Sequence, residues 1–576
     1  MASSRLDTDT DTDTQRIRRM SRLRTTNIDK LKRERFDVLV VGGGINGAVS
    51  AAALAGKGAR VGLIDRKDFA AETSQSSSNL AWGGIKYLET MEFGLVHKLC
   101  RSRNKLMRAY PSTVQEIRFF ASIARGFRFP SWFLYLGALF YWVMGAGFTR
   151  LPRLLSRRRI AADEPVVKLD NIVGGFEYSD AYLHDNDARF VFNFVRSAID
   201  QGCIAANYID AVAARREGND WVITVRDVSG EAAPDFEIRA RTLVNACGPY
   251  ADLFNERADV HTRHRHVFSK GIHLIVDRVT PNKRVLTFFA DDGRLFFVIP
   301  MGPKTCIGTT DTKVDSPETH VTEEDRAFVL DNINKRLNLP RPIAPEDVIA
   351  ERCGVRPLVV SGKTPGKVDW VKLSRKHAVE ADTQRNILSI FGGKLTDCLN
   401  VGDEVARAVE RMGVHLPEPR RIWYGEPNES VREDYFQQAR AMRLDELTSA
   451  EASEPISTRL WRRYGTHALA LLEHIRQDPR QADLLIEHAE YLRVEIEETA
   501  EREMVVNLED FLRRRSKIAL VLRETKLREA DGLREACRIF FGARADAEWK
   551  RYFGAVRTPA ASSQDRGEQA STAPAA

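Results

Sequence analysis

Three glycines near the N-terminal end have the spacing of a nucleotide-binding turn. Gly42, Gly44 and Gly47 follow the apolar run 38–41 and open an alanine-rich segment. In a strand–turn–helix unit the first glycine permits a tight turn, the second lets the backbone approach a pyrophosphate, and the third lets helix and strand pack closely. A second apolar run ends at Asp65, about 20 residues further on, where a carboxylate can accept hydrogen bonds from ribose hydroxyls. The pattern predicts a dinucleotide-binding βαβ unit.

Other segments combine glycines with hydroxyl or charged residues in otherwise apolar surroundings, which is unusual for residues that serve only as scaffold. His273 suits a general base because the unperturbed pKa of histidine lies near neutrality. Arg356 suits an anion-binding group because its guanidinium fork matches phosphate or carboxylate. A packing or surface histidine and a core salt bridge are the structural alternatives. The segments are TSQSSSNLAWGGIKYLE (73–89), GGFEYSDAYLHDNDAR (174–189), VNACGP (244–249), SKGIH (269–273), IGTTD (307–311), GVRPL (354–358) and FGGKLTD (391–397).

Taken in order, these segments resemble those of the FAD-dependent glycerol-3-phosphate dehydrogenases. The resemblance extends from about Phe36 to about Val401 and continues weakly into YGTHALALL (464–472) and HAEYL (488–492). It implies an enzyme that uses FAD, oxidises the small anion sn-glycerol 3-phosphate to dihydroxyacetone phosphate, and passes electrons to a membrane quinone. It also implies a mixed α/β fold, in which a Rossmann-like FAD-binding domain is interleaved with an antiparallel-sheet substrate domain and followed by a helical C-terminal domain.

The resemblance assigns roles to residues of the cofactor site. The loop at Gly42 would hold the FAD pyrophosphate, Asp65 the adenosine ribose, and Thr73 and Ser74 would line the cofactor near the flavin. Backbone N–H groups at a helix start would face the pyrimidine oxygen of the flavin, where negative charge develops when hydride arrives. These groups belong to Gly392, Gly393, Lys394, Leu395 and Thr396.

The resemblance also makes His273, Arg356 and Lys394 the expected catalytic residues. His273 would accept the hydroxyl proton as hydride leaves carbon, and Arg356 would hold the substrate anion. Lys86 and Arg375 are further candidates for binding this anion. For Arg375 a core salt bridge is an equal alternative.

The sequence departs from the family where substrate should bind. The family usually reads SSKLIHGGLRYL, whereas this chain reads SSNLAWGGIKYL. A histidine is replaced by Trp82, which cannot act as a base, and a lysine by Asn79. The clamping arginine is replaced by Lys86, which is a point charge and not a bidentate fork. These changes leave the glycine loop intact. They lie where the substrate should bind, so they bear on which substrate the protein uses.

Two alternatives to glycerol 3-phosphate oxidation therefore stay open. One is an oxidoreductase of the same fold that acts on another small anionic hydroxy acid or amino acid. The other is a flavin-binding membrane subunit without turnover, which the presence of His273, Arg356 and Lys394 disfavours. A pyridine-nucleotide enzyme is disfavoured because only one strong G-x-G-x-x-G loop occurs in the chain.

Composition excludes several other classes of protein. The formal charge of +7 over 576 residues is too mild to indicate nucleic-acid binding. The seven cysteines are scattered without a C-x-x-C pair, which argues against a metal site or a disulfide framework and for a reducing compartment. The polar N-terminal text has no apolar stretch typical of a signal peptide, so the sequence predicts a cytoplasmic protein. It leaves open whether the protein forms a homodimer.

Composition also divides the chain. A basic, low-complexity N-terminal segment with an Asp-Thr repeat and an Ala-, Ser- and Pro-rich C-terminal segment are expected to be disordered. Long charged helical patterns with few glycines indicate the separate C-terminal domain. The predicted boundaries are 1–35 for the N-terminal tail; 36–100, 171–255 and 376–420 for the FAD-binding domain; 101–170 and 256–375 for the substrate domain; 421–556 for the helical domain; and 557–576 for the C-terminal tail.

Residues 129–149 form an uncharged apolar run long enough to span a bilayer. A single span would put the parts of one cofactor site on opposite sides of the membrane, so the motifs exclude it. The aromatic residues of the run, and the arginine block 150–159 after it, favour a segment at the inner face of the cell membrane. A buried substrate-domain helix is the alternative. The first arginine cluster of the chain, residues 16–24, suits an anionic membrane surface or a solvated face equally well.

Overall fold

The computed structural model describes residues 22–554, apart from 231–232, 291–292, 363–375, 451 and 487. The strands are β1 (Arg35–Val41), β2 (Val61–Ile64), β3 (Leu80–Ala81), β4 (Val114–Ala124), β5 (Arg153–Ser156), β6 (Ile172–Leu183), β7 (Ile204–Ala206), β8 (Ile209–Glu217), β9 (Asp220–Asp227), β10 (Phe236–Asn245), β11 (His264–Asp277), β12 (Arg284–Phe289), β13 (Leu295–Met301), β14 (Lys304–Gly308), β15 (Thr312–Val314), β16 (Ala350–Ser361), β17 (Ala378–Asp382), β18 (Ile387–Phe391), β19 (Leu484–Ile486) and β20 (Tyr491–Leu492).

The helices complete this frame. They are α1 (Arg22–Arg33), α2 (Ile45–Gly56), α3 (Phe93–Ala109), α4 (Ser131–Met144), α5 (Arg157–Asp163), α6 (Asp187–Asp200), α7 (Ala251–Arg257), α8 (Glu323–Arg336), α9 (Cys398–Arg411), α10 (Glu429–Ala441), α11 (Ile456–Tyr464), α12 (Ala468–Gln477), α13 (Arg493–Arg502), α14 (Ile518–Val521), α15 (Glu524–Glu529), α16 (Asp531–Phe541) and α17 (Ala545–Gly554). Short 3₁₀ turns lie at Thr73–Gln75, Ile85–Leu88, Gly248–Tyr250, Pro345–Asp347, Leu395–Asp397, Leu444–Leu447, Gly465–His467, Pro479–Ala482 and Gly542–Arg544, and a π-helical turn at Asp510–Arg515.

The first sheet has the order β17-β18-β10-β1-β2-β7, with β9 added antiparallel to β10 and β8 to β9. β1 pairs in parallel with β2 and β10, as a Rossmann-like unit requires. Its residues 38–41 are buried because helices cover the sheet. The alanine-rich α2 packs against α6 and α9 on one face, since small side chains permit close approach. The predicted βαβ unit is confirmed.

The second sheet has the order β15-β11-β14-β13-β12-β4-β6-β3, with β16 beside β11 and β5 beside β6. Most of its pairings are antiparallel, while β12 and β4 are parallel. One face packs against α4 and the other against α8. The predicted combination of a Rossmann-like domain, an antiparallel substrate sheet and a helical C-terminal domain is therefore confirmed.

Two predicted boundaries are wrong. Disorder was expected through residue 35, but 22–33 is the helix α1, whose Ile28 and Leu31 are buried and whose Asn27 donates to the carbonyl of Ala205. Charged residues among the apolar positions of 22–33 make the amphipathic pattern of this helix hard to recognise in the sequence. Residues 171–183 were assigned to the FAD-binding domain, but β6 pairs with β4 in the second sheet. Residues 1–21 and 557–576, the remainder of the predicted tails, lie outside the described residues.

The apolar run 129–149 is largely the helix α4. Among the helices that the structure describes, none has the length and apolar content needed to cross a bilayer. Ala138 and Tyr141 are buried against the second sheet, whereas Trp132 and Leu136 are 56% and 50% exposed. The helix therefore has one packed face and one exposed apolar face.

Candidate active site

Two adjoining cavities lie between the sheets. The first, of about 1020 Å³, is lined by Gly42, Gly44, Asp65 and residues around them. The second, of about 1320 Å³, is lined by His273, Arg356 and Lys394 among others. The two share part of their walls, so they form one continuous groove. The shared residues are Ile45, Thr73, Ser74, Pro357, Gly392 and Gly393.

The glycine loop has no room for side chains. Gly42 has a φ of +104°, and a Cβ there would lie 2.4 Å from the carbonyl oxygen of Ala246. A Cβ at Gly47 would lie 1.7 Å from the carbonyl oxygen of Gly42. Gly44 caps the N-terminus of α2, where unpaired N–H groups and the helix dipole attract a phosphate. The loop therefore fits the pyrophosphate of a dinucleotide such as FAD.

Asp65 directly follows β2 and lines the first cavity beside the glycine loop. Its carboxylate accepts hydrogen bonds from the N–H groups of Gly43 (2.6 Å) and Lys67 (2.8 Å). Burial raises the pKa of Asp65 to about 7, although these two hydrogen bonds act in the opposite direction. Hydrogen bonds from a ribose would favour the ionised form further.

Thr73 and Ser74 line both cavities, but their hydroxyls also have partners within the protein. The Thr73 hydroxyl donates to the carbonyl of Val355 at 2.7 Å. The Ser74 hydroxyl accepts from the N–H of Ile45 at 3.0 Å, in the first turn of α2. These side chains thus join the glycine loop to β16 while they contribute to the cavity wall.

The chain turns sharply after β18, where the two cavities meet. Gly392 and Gly393 have φ values of +62° and +117°, which residues with a Cβ rarely adopt. Lys394 then precedes the turn Leu395–Asp397, which leads directly into α9. Residues 392–396 line the cavity at this helix start, where the helix dipole suits negative charge. The hydroxyl of Thr396 donates to the carbonyl of Trp82 at 3.2 Å, so it secures the loop.

Two residues that hold this turn were missed in the sequence. Asn46, in the first turn of α2, donates to the carbonyl of Gly392 at 2.9 Å. His266 on β11 accepts from the N–H of Gly392 at 3.0 Å, and its side chain is fully buried. Asn46 could have been recognised because it lies inside the glycine-loop motif. His266 lies outside every recognised segment, so no sequence feature identified it.

His273 faces the substrate cavity from β11, opposite Arg352 on β16. Its Nε2 lies 2.9 Å from the hydroxyl oxygen of Ser78. Burial, together with the charges of Arg352 and Arg356, lowers the pKa of His273 to about 3. The pKa of His273 thus lies below the unperturbed value of histidine, because two guanidinium groups disfavour a third positive charge. The imidazole is neutral and can accept a proton only where an anion offsets these charges.

Arg356 lies across Gly271, and a Cβ at Gly271 would be 2.2 Å from its Nη2. This explains the glycine of the SKGIH segment. Arg356 donates to the hydroxyl of Thr309 at 2.9 Å and to the carbonyl of Thr310 at 3.3 Å, and its Nη1 lies 3.6 Å from Asp311. The IGTTD segment therefore orients the guanidinium, which is 26% exposed towards the cavity.

Lys394 donates to the hydroxyl of Tyr87 at 2.6 Å. Tyr87 lines the cavity and was not recognised in the sequence, although it adjoins Lys86 in a recognised segment. Trp82, Tyr87 and Phe297 form an aromatic wall, and the indole N–H of Trp82 donates to Tyr178 at 3.2 Å. The cavity lining thus combines aromatic side chains with cationic groups, and Lys394 lies 4.0 Å from the centre of the Tyr87 ring.

The remaining predicted residues are placed differently. Lys86 is half-buried on the turn Ile85–Leu88 and is absent from the cavity lining, unlike its neighbour Tyr87. Asn79 is buried behind the cavity, where it accepts from Arg352 at 3.0 Å and has a φ of +55°, which asparagine tolerates better than most residues. Asn79, which replaces the lysine of the family, therefore lies behind the cavity and does not line it. Arg375 lies outside the described residues.

Comparisons with known proteins agree with this geometry. Residues 37–386 match the family described as FAD dependent oxidoreductase, and residues 425–538 match the C-terminal domain of alpha-glycerophosphate oxidase. The chain is 30% identical over 503 residues to glycerol-3-phosphate dehydrogenase 2 of Mycobacterium bovis, covering 85% of this chain and 82% of the relative. It is 27% identical to the aerobic glycerol-3-phosphate dehydrogenase of Staphylococcus aureus, covering 84% and 87% of the two chains.

A solved structure extends the agreement to the fold. The glycerol-3-phosphate dehydrogenase from Bacillus halodurans, which was crystallised with FAD, superimposes with a TM-score of 0.70 at 23% identity. The match covers 93% of this chain and 96% of that one. With the cofactor groove and the matches over both regions of the chain, this protein belongs to the FAD-dependent glycerol-3-phosphate dehydrogenase family and is an FAD-dependent oxidoreductase.

Proposed function

We propose that the protein oxidises sn-glycerol 3-phosphate to dihydroxyacetone phosphate. The observation that carries this proposal is the convergence of His273, Arg356 and Lys394 on one cavity beside the flavin end of the cofactor groove. A base and two cations are what the oxidation of a phosphorylated secondary alcohol requires. The names of the curated relatives support the same substrate.

Different residues of the cavity bind the substrate and accept its proton. Arg356, held by the Thr309–Asp311 loop, offers a fixed fork to the phosphate, and Lys394 with Tyr87 offers a second polar contact. FAD supplies the hydride acceptor when it is bound. His273 accepts the hydroxyl proton at one ring nitrogen. The phosphate dianion beside Arg356 raises the affinity of His273 for this proton, since it offsets the charge that lowers the pKa in the free protein.

A second candidate function is the oxidation of another small anionic hydroxy acid or amino acid. The observation that favours it is the aromatic wall of Trp82, Tyr87 and Phe297. Lys86, expected to replace the clamping arginine of the family, does not line the cavity. An anion with a larger apolar substituent would fit between this wall and Arg356.

We propose that a membrane quinone accepts the electrons. We also propose that the protein binds at the cytoplasmic face of the cell membrane. The exposed apolar face of α4, including Trp132, Phe133 and Phe140, supports this location because soluble surfaces rarely expose such a cluster. Exposed arginines follow the helix at 150, 153 and 157–159 and suit anionic lipid. Three of them, Arg150, Arg153 and Arg159, pair with carboxylates but keep at least half of their side chains exposed. The buried side of α4 belongs to the same apolar cluster as Trp82 and Tyr87, which supports quinone access near the flavin.

Part of the predicted basic surface does not support membrane binding. Residues 16–21 of the first arginine cluster lie outside the described residues. Arg24 donates to Asp227 at 2.9 Å and to the carbonyl of Asn207, so it contributes to the fold. We therefore assign the membrane contact to α4 and the arginines after it.

The function is tested by turnover of the purified holoenzyme with a soluble quinone as acceptor and dihydroxyacetone phosphate as the measured product. We expect product from sn-glycerol 3-phosphate and almost none from glycerol, which lacks the anion. Arg356→Lys should raise the apparent KM by about ten- to a hundredfold, because a charged hydrogen-bond partner contributes roughly 1.5–3 kcal/mol, while bound FAD stays unchanged. Turnover of a hydroxy or amino acid in place of glycerol 3-phosphate would favour the second candidate.

A further inference from the structure

The C-terminal domain reaches the cofactor site through one short segment, the π-helical turn Asp510–Arg515 and the residues just after it. Such turns are rare and are found frequently at functional sites. Asp510, Arg514 and Arg515 are each at most 3% exposed. Because charged side chains are seldom buried without partners, the partners of this turn indicate what it stabilises.

The main partner is Asp68, which is fully buried in the loop after β2. Arg515 donates to both of its carboxylate oxygens at 2.8 Å, and Arg514 donates at 2.7 Å. Asn207 adds a fourth hydrogen bond at 2.8 Å. The other groups of the two arginines are also used, since Arg515 binds the carbonyl of Glu503 and Arg514 binds Asp510. The geometry fixes the Asp68 carboxylate from the C-terminal domain.

Asp68 lies between two parts of the cofactor wall. Asp65 precedes it, and the next residues, Phe69 and Ala70, contact the glycine loop. The N–H of Ala70 donates to the carbonyl of Gly43 at 3.1 Å, and a Cβ at Gly43 would lie 2.4 Å from Cδ1 of Phe69. Asp68 itself is absent from the cavity lining. Displacing it would therefore move the cavity wall without removing a group that contacts the cofactor.

The same segment also touches the substrate end. The side chain of Asn186 donates to the carbonyls of Arg513 and Ser516 at 2.9 and 2.8 Å. Asp187, the next residue, holds the N–H of Ser77 at 2.8 Å and pairs with Arg352 at 3.1 Å. One turn of the C-terminal domain thus supports both ends of the groove.

We propose that Arg514 and Arg515 are positioning residues for FAD, so that the C-terminal domain sets the affinity of the chain for its cofactor. Their guanidinium groups hold Asp68, and Asp68 holds the wall from Asp65 to Thr73 against the glycine loop. Neither arginine lines the cofactor cavity. The proposal rests on FAD as the cofactor and does not depend on the identity of the substrate.

The test is the FAD affinity of the apoprotein, measured by fluorescence titration, beside its thermal unfolding midpoint without cofactor. Arg515→Lys keeps the charge but loses the bidentate contact, and we expect the FAD Kd to rise about tenfold or more. Arg196→Lys is the matched control. Arg196 is 9% exposed and crosses the same interface to the carbonyl of Arg463 at 2.8 Å, and among the described residues its hydrogen bonds and ion pairs involve neither Asp68 nor Arg515. It should lower the unfolding midpoint to a similar extent while the Kd changes less than about threefold.

Two results would overturn the proposal. An unchanged Kd in Arg515→Lys would show that the loop does not need this contact. An equal rise in Kd in both variants would show a general effect of interface stability. If Arg515→Lys does not fold, Asp68→Asn and Arg514→Lys test the same contact with smaller changes, and each should raise the Kd with the circular dichroism of the apoprotein preserved.

Discussion

At the scale of single residues, the orientation of the substrate-binding arginine depends on a glycine. Gly271→Ala would place a Cβ 2.2 Å from Nη2 of Arg356, so the guanidinium must move. We expect the apparent affinity for glycerol 3-phosphate to fall by about tenfold or more, since a charged hydrogen-bond partner contributes roughly 1.5–3 kcal/mol. FAD content should not change. Gly94→Ala, at a glycine with no atom within 4 Å of an added Cβ, is the control and should bind substrate normally.

His273 provides the second prediction at this scale. His273→Ala should lower the rate of flavin reduction by a factor on the order of 10²–10⁴, because a positioned base typically contributes that much. FAD binding should persist, since the residue lies in the second cavity. Stopped-flow absorbance under anaerobic conditions measures the rate. A rate within about threefold of wild type would remove His273 from proton transfer.

Residues whose role follows from local spacing could be predicted, and those defined by long-range contacts could not. The glycine loop, Asp65 and the turn at Gly392 belong to contiguous motifs that carry their own backbone geometry. Asn46 and Gly392, by contrast, are bonded across 346 positions. The lowered pKa of His273 also depends on Arg352, which pairs with it only through the register of β11 and β16.

At the scale of elements, α4 is the segment whose role is most open to test. Trp142, one of the aromatic residues of the run, is held to the protein, since its indole N–H donates to the carbonyl of Thr149 at 2.6 Å. Phe140 is 47% exposed and belongs to the exposed face with Trp132 and Phe133. Replacing Trp132, Phe133 and Phe140 by serine should shift the protein from vesicles to the supernatant in a sedimentation assay.

A matched triple variant separates this effect from general loss of apolar surface. Ile422, Leu447 and Leu484 are also exposed, at 73%, 60% and 46%, and lie elsewhere on the chain. Their replacement by serine should leave vesicle binding unchanged. If the α4 variant stays fully bound to vesicles, the assignment of the membrane contact to this helix is wrong. The apolar character of α4 was readable in the sequence, but its exposed face depends on which side packs on β6.

The contact between the C-terminal domain and α6 should depend on pH. His467 lies between Asp200, at the end of α6, and Glu498 of α13, at 3.2 and 3.0 Å. Hydrogen bonds to these carboxylates raise the pKa of His467 to about 9. Because the folded pKa is raised, the stabilisation is fully present below about pH 6.5 and is lost as pH rises through about 9.

Thermal unfolding of wild type and His467→Gln at several pH values measures this contribution. Wild type should be more stable by roughly 1 kcal/mol in mildly acidic solution, after allowance for solvent screening. The difference should vanish in solution more alkaline than about pH 9. A difference that grows with pH would contradict the ion-pair assignment.

At the scale of the whole molecule, the protein combines two interleaved sheets and a helical domain around one groove. The fold class followed from one strand–glycine turn–helix unit and from the family resemblance of the segments that come after it in order. The domain boundary at β6 could not be predicted from the sequence, because the pairing of β6 with β4 joins residues far apart in the chain. The burial of Asp68 beneath Arg514 and Arg515 could not be predicted either, because it arises only when the C-terminal domain docks.

The most direct test of the function is anaerobic addition of sn-glycerol 3-phosphate to the oxidised holoenzyme. The oxidised-flavin absorption band should bleach in one turnover, with one dihydroxyacetone phosphate formed for each flavin reduced. His273→Ala and Arg356→Lys should bleach slowly or only at high substrate concentration. An absorption band that persists with saturating glycerol 3-phosphate, but bleaches with another hydroxy acid or an amino acid, would contradict the proposed substrate.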